Sequence, residues 1–276
     1  PVVASFSILG DVAQQIGGER VAVQSLVGAN QDAHAYNLTS SDIKKIREAR
    51  LVLLNGLGLE KAELQRAVKQ SKVASAEATA GIKPLATDEH HHEHNHGHDH
   101  DHGEFDPHVW NDPVLMQRYA ANVAIALIKA DPAGSRYYQQ RFKDYQNVLN
   151  QLNNYANQQF GAVAPAKRKV LTGHDSFAYL GKRYQVKFIS PQGVSSEAEP
   201  SARQIAAIIR QIKAENVKAV FTENIKDGRM IARIAKETGV KVSGGLYADA
   251  LSSGAPAGTY ADMFRYNVRV MSEAMK

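Results

Sequence analysis

No cysteine occurs in the chain. That excludes a disulfide, a thiolate metal site, a thiol nucleophile and a lipid carried on a cysteine of this chain. Redox compartment stays open, because a cysteine-free protein suits oxidising and reducing surroundings alike. Long apolar runs are missing too. None approaches the roughly 18 residues a membrane span needs, so a protein soluble as written is expected. The Lys and Arg behind the net charge of +5 are scattered along helical patterns. With no aromatic-rich RNA-binding signature beside them, they argue against a nucleic-acid partner. An initiator Met is also lacking: the chain starts PVVASFSILG. That fits an exported form whose signal peptide has been removed, although any cut at this point would look the same.

What is present is enough apolar material, 43% of 276 residues, for a sizeable core. The length fits one large domain or two compact ones. Apolar runs at 2–6, 21–27, 51–55 and 73–76 read as strands, and 8–16, 39–47 and 59–70 as helices, with Thr39 or Ser40 as N-cap. Asp112-Pro113 opens a helix to about 129. Asp131-Pro132 opens a second, because Asp caps and Pro fits a first turn. Tyr138, Phe142, Tyr145, Leu149 and Leu152 then step by 4, 3, 4 and 3, one apolar stripe on one helix face to about 160. After Ala164-Pro165-Ala166 the alternation resumes. Strands are expected at 169–172, 186–189, 219–222 and 240–244, and helices at 176–183, 201–215, 228–238 and 259–275. The fold class is therefore α/β: two lobes of mostly parallel sheet flanked by helices, joined by one long rigid helix. The boundaries fall at 1–130, 131–163 and 164–276.

Histidine is concentrated. Eight of the eleven, His90, His91, His92, His94, His96, His98, His100 and His102, fall within 13 positions. Residues 88–106 carry seven Asp and Glu and no Lys or Arg. That segment holds −7 and leaves +12 of the overall +5 to the rest. It lacks apolar periodicity, so nothing drives it to pack, and a mobile loop over about 86–104 is expected. The acids between its imidazoles lower the local potential and attract cations. A purely solvating linker is the plainer alternative.

The other three, His34, His108 and His174, each sit in a turn-like context. His34 follows a strand and the polar run GANQDAHAY. His174 follows VLTG at a strand's carboxyl end, where open α/β sheets place their ligand crevice. A lone histidine is more often a surface or satisfied core residue. Three at loop positions, joined by one more donor, complete a tetrahedral zinc site. Asp249 in GGLYADALS is the candidate fourth donor, with helix N-cap as its plainer role. Glu223 in VFTEN is either an exposed loop acid or the acceptor for the free N–H of a ligating imidazole.

The stretches DAHAYNLTSSDIKKI, FDPHVWNDP, LTGHDSFAYLGKRY, GVSSEAEPSA, FTENI and GGLYADALS occur in this order. They closely resemble the zinc/manganese substrate-binding proteins of ABC importers, the cluster A-I family, over nearly the whole chain. The resemblance implies two lobes bridged by one rigid helix, with metal held between them by His34, His108, His174 and Asp249. Members that look specialised for manganese have Glu where His174 stands, so three imidazoles and one carboxylate imply Zn2+. The first motif here reads DAH where many relatives read DPH. Many zinc-importing relatives carry a similar His-rich insertion, and the resemblance implies that the cluster is an auxiliary zinc-collecting segment.

The implied function is capture of zinc in the periplasm and delivery to an inner-membrane ABC permease, with no chemical conversion. A periplasmic zinc chaperone is a further expected partner, and a monomer the expected state. Affinity should fall below about pH 6 as the histidines protonate. Alternatives are a manganese or other divalent-metal binder or an adhesin of the same fold. A zinc hydrolase with Glu223 as base would need an open coordination position.

Overall fold

The computed structural model describes residues 1–87, 105–193 and 199–276. Val2–Phe6 forms β1, with all five side chains buried. Burial on both faces is what a parallel sheet demands of its strands. Ser7–Gly17 follows as α1, then β2 (Val23–Val27), α2 (Ser40–Glu48), β3 (Leu51–Leu54), α3 (Ala62–Ser71) and β4 (Ser75–Glu77). The strands lie in the order β2-β1-β3-β4, every pair parallel. Side chains alternate between two apolar layers, as the two-residue strand period requires. Val2, Ala4, Phe6, Leu51 and Leu53 join the core that contains α1. Val3, Leu26, Val52 and Leu54 join a separate layer with Ile46 of α2 and Leu64 and Val68 of α3.

Leu115–Ala130 is α4, and Ser135–Gly161 is α5, whose 27 residues span about 40 Å. The second half repeats the first. Its elements are β5 (Lys169–Leu171), α6 (Ala178–Tyr184), β6 (Lys187–Ile189), α7 (Ala202–Glu215), β7 (Ala219–Glu223), α8 (Arg229–Thr238), β8 (Gly244–Leu246) and α9 (Tyr260–Met275). The order is β6-β5-β7-β8, again all parallel. The fold is thus α/β, with two four-stranded parallel sheets flanked by helices. In each sheet the first and third strands are neighbours and their connections leave in opposite directions. Such a switch point opens a crevice at the strands' carboxyl ends.

One apolar core runs through both halves. It holds Phe6 and Trp110 from the first, Tyr145, Leu149 and Leu152 of α5, and Phe221 and Phe264 from the second. The stripe read from the 4-3-4-3 spacing is buried at Tyr138, Tyr145, Leu149 and Leu152, and Phe142 packs against it half-buried.

Local capping signals explain some element starts. Thr39 caps α2, accepting from the Asp42 N–H while the Asp42 carboxylate accepts from the Thr39 N–H. Ser201 and Gln204 do the same for α7. Two expectations need correction. Asp131 makes no cap; its carboxylate accepts from Arg20 at 2.9 and 3.0 Å and from the Tyr138 hydroxyl at 2.6 Å. A short 3₁₀ turn, Pro132–Gly134, precedes α5 instead. The last strand is Gly244–Leu246 rather than 240–244. Gly239 ends α8 at φ +74°, and the Val240 N–H returns to the Ala235 carbonyl at 3.0 Å. Val240 packs beside Ile231 and Ile234. Its apolar character therefore serves the helix end.

Candidate metal site

Four loops at the facing ends of the two sheets supply the site. His34 lies in a turn beyond β2, where its N–H donates to the Asp32 carboxylate at 2.9 Å. His108 precedes the 3₁₀ turn Val109–Asn111. The loop before it is fixed from β3, because Asn55 Nδ2 donates to the Pro107 carbonyl at 3.1 Å. His174 follows β5, and its N–H donates to Glu223 Oε2, at the end of β7, at 2.9 Å. Asp249 follows β8. Its neighbour Ala248 accepts from Trp110 Nε1 at 2.7 Å, which ties the Asp249 loop to the His108 loop.

The four side chains converge, their nearest donor atoms all within 4.8 Å of one another. Asp249 Oδ2 lies 2.6 Å from His34 Nε2, 3.3 Å from His108 Nε2 and 3.2 Å from His174 Nε2. The Nε2 atoms of His34 and His108 are 3.1 Å apart. His108, His174 and Asp249 are fully buried, whereas His34 keeps 7% of its surface exposed. Asp249 Oδ1 is buried with no hydrogen-bond partner among the described residues. A buried carboxylate oxygen left bare is costly unless a cation or donor meets it.

A carboxylate backs two of the rings. Asp106 Oδ1 sits 2.7 Å from His108 Nδ1 and also accepts the His108 N–H at 2.9 Å. Glu223 Oε1 sits 2.7 Å from His174 Nδ1. At His108 a proton held at Nδ1 by Asp106 leaves the Nε2 lone pair facing the centre, the tautomer a metal requires; at His174 the carboxylate is near enough for an ion pair. Burial alone would lower the His108 pKa, but the charges of Asp249 and Asp106 outweigh it and raise it to about 10. The same contest at His174, with Glu223 and Asp249 against burial, ends well above the usual imidazole range. Burial pushes Asp249 up, yet His108, His174 and His34 hold it well below the usual carboxylate range. Without a cation the cluster therefore keeps protons, and an arriving cation must displace them.

The structure thus brings His34, His108, His174 and Asp249 to one point and sets Glu223 against His174. No helix starts at Asp249; the next begins at Tyr260. Glu223 directs both oxygens at His174, so it is not placed as a base towards an open position. Asp106 and Trp110 were not anticipated. A carboxylate two residues before a loop histidine was the available signal for Asp106. The eight histidines from His90 to His102 lie outside the described residues, as do 194–198.

A family model described as ZnuA, zinc-uptake complex component A periplasmic, matches residues 2–274. The chain belongs to this family. As a ZnuA-family protein it is a metal-binding, substrate-binding component of an ABC importer and not an enzyme. The manganese-binding lipoprotein MntA of Bacillus subtilis is 32% identical across 100% of this chain and 89% of its own length. The iron ABC transporter substrate-binding lipoprotein MtsA of Streptococcus pyogenes serotype M1 is 27% identical, over 99% of this chain and 88% of its own. Among solved structures, the periplasmic zinc binding protein TroA of Treponema pallidum superposes with a TM-score of 0.91. It is 26% identical, and the match covers 99% of this chain and 98% of that one.

Proposed function

We propose that the chain captures zinc on the outer side of the cytoplasmic membrane and delivers it to an ABC-type permease, with His34, His108, His174 and Asp249 as the ligands. The observation that carries this reading is the buried convergence of three Nε2 atoms and one carboxylate from four separate loops. Four protein donors close a tetrahedron, which suits holding an ion rather than activating water on it. Three imidazoles favour zinc over manganese, a harder ion better served by oxygen. Relatives named for manganese and iron support the rival reading of another divalent cargo. The first lobe, 1–130, supplies His34 and His108, and the second, 164–276, supplies His174 and Asp249. The link at 131–163 holds the two at fixed separation. Residues 90–102 then act as an auxiliary collector of lower affinity. Release into the periplasm as a diffusible protein is part of this proposal, against the tethered form that several relatives named lipoproteins exemplify.

Metal analysis with competitive titration tests it, on the intact protein, a form lacking residues 88–103, and His174→Ala. The intact protein should bind one zinc tightly, plus weaker equivalents, and keep it against excess manganese. The deletion should lose only the weak equivalents. His174→Ala should lose more affinity than the ~100-fold upper end seen when partners behind a ligand are removed. Preference for manganese under competition would overturn the zinc assignment. Loss of tight binding on deletion would overturn the division into two kinds of site.

A further inference from the structure

We propose that Tyr179 is a positioning residue for the cargo site: from the second half of the molecule it fixes Asp106, and through Asp106 the His108 ring. The inference rests on the reading of His108 as a ligand. Tyr179 is in the first turn of α6 and only 3% exposed. Its hydroxyl donates to the Asp106 carbonyl at 2.5 Å and accepts the Leu85 N–H at 2.9 Å. The Asp106 N–H in turn donates to the Leu85 carbonyl at 2.9 Å, and Ala86 bridges Phe105 in antiparallel fashion. One hydroxyl therefore closes an isolated bridge between the 85–86 and 105–106 segments at its junction with the site.

The consequence reaches the site through the Asp106 side chain. The Asp106 backbone is clamped between Leu85 and Tyr179, and its carboxylate holds both the His108 main-chain N–H and Nδ1. Removing the hydroxyl leaves the buried Asp106 carbonyl and the part-buried Leu85 N–H without their partner. The carbonyl, being buried, can be met again only if the 105–106 segment shifts. A shift at Asp106 rotates the His108 ring and moves Nε2 away from Asp249 Oδ2. Other contacts join the halves without touching a group that backs a ligand. Arg183 Nε donates to Asp112 Oδ2 at 2.9 Å, and Asn111 Nδ2 to the Ser176 carbonyl at 2.8 Å. Tyr179 differs from these because its partner is the residue that orients a ring.

Tyr179→Phe keeps the ring and deletes only the hydroxyl; Arg183→Gln is the control. Zinc dissociation into a chromophoric chelator and the visible spectrum of the Co2+-loaded protein are read for each, with circular dichroism to confirm folding. Tyr179→Phe should release zinc about tenfold faster, the lower end for outer partners of a ligand, and shift the cobalt bands. Arg183→Gln should do neither. Unchanged release and spectrum in Tyr179→Phe would overturn the proposal. So would equal acceleration in both variants, which would mean only a loosened interface. If the unmodified protein held no tight zinc, the reading on which this rests would fail first.

Discussion

At the scale of single residues, the protons already in the cluster decide how cargo binding depends on pH. The His108 value is raised from the ordinary 6.5 to about 10. Its pairing with Asp249 and Asp106 therefore stabilises the metal-free fold fully below about pH 6.5, and this contribution is lost as pH rises through about 10. Zinc needs the same nitrogen unprotonated, so its affinity runs the other way and climbs over that window. An isolated imidazole would place the fall in affinity below about pH 6; the carboxylates beside His108 move it upward. Zinc binding at pH 7.5 should release at least one proton. Titration calorimetry in two buffers of different ionisation enthalpy measures this, and identical heats would show that the proton is absent. The three histidines were legible as candidates because each falls in a loop. Asp106 was not, because in sequence it ends the acidic run over 88–106 and reads as part of its charge.

At the scale of elements, what reads well is what repeats. Five apolar residues at alternating spacings of 4 and 3 fix the helical face of α5, and a fully apolar strand such as Leu51–Leu54 announces a parallel sheet. What reads badly is a residue whose apolar side chain serves a turn. Val240 and Val242 alternate as a strand would, yet Val242 is 38% exposed and Val240 covers the end of α8. Gly239 is what sets that end, at φ +74° with open space where a Cβ would stand. Gly239→Ala should therefore cost about 1 kcal/mol from backbone strain alone. Urea denaturation should show a lower midpoint and an unchanged slope. A variant as stable as the parent would mean that the turn relaxes freely, and that Val240 is not held by it.

At the scale of the whole molecule, the sequence pattern shows two βα-alternating halves but not how they meet. The two-residue period assigns side chains to two faces of a sheet without saying which face meets the other half. In the structure the inner faces of both sheets share one core with α5. Polar ties cross at the site as well. Trp110 donates to Ala248 and the Tyr260 hydroxyl to the Trp110 carbonyl. The Asn30 N–H donates to Leu251 at 2.8 Å, and Asn224 Nδ2 to Asn30 Oδ1 at 2.8 Å. Wide opening would exchange several of these for water, at about 0.5–1.5 kcal/mol net each, besides exposing core. A bound cation can shift the equilibrium only by its differential affinity for the two shapes. Small tilts and rearrangement of the ligand loops cost far less, with His34, the one ligand still reached by solvent, the readiest to move. Solution scattering should therefore give the same radius of gyration with and without zinc. A clear contraction on adding zinc would mean that the shared core parts in the metal-free protein, and that a permease senses the angle between halves rather than the loops around the ion.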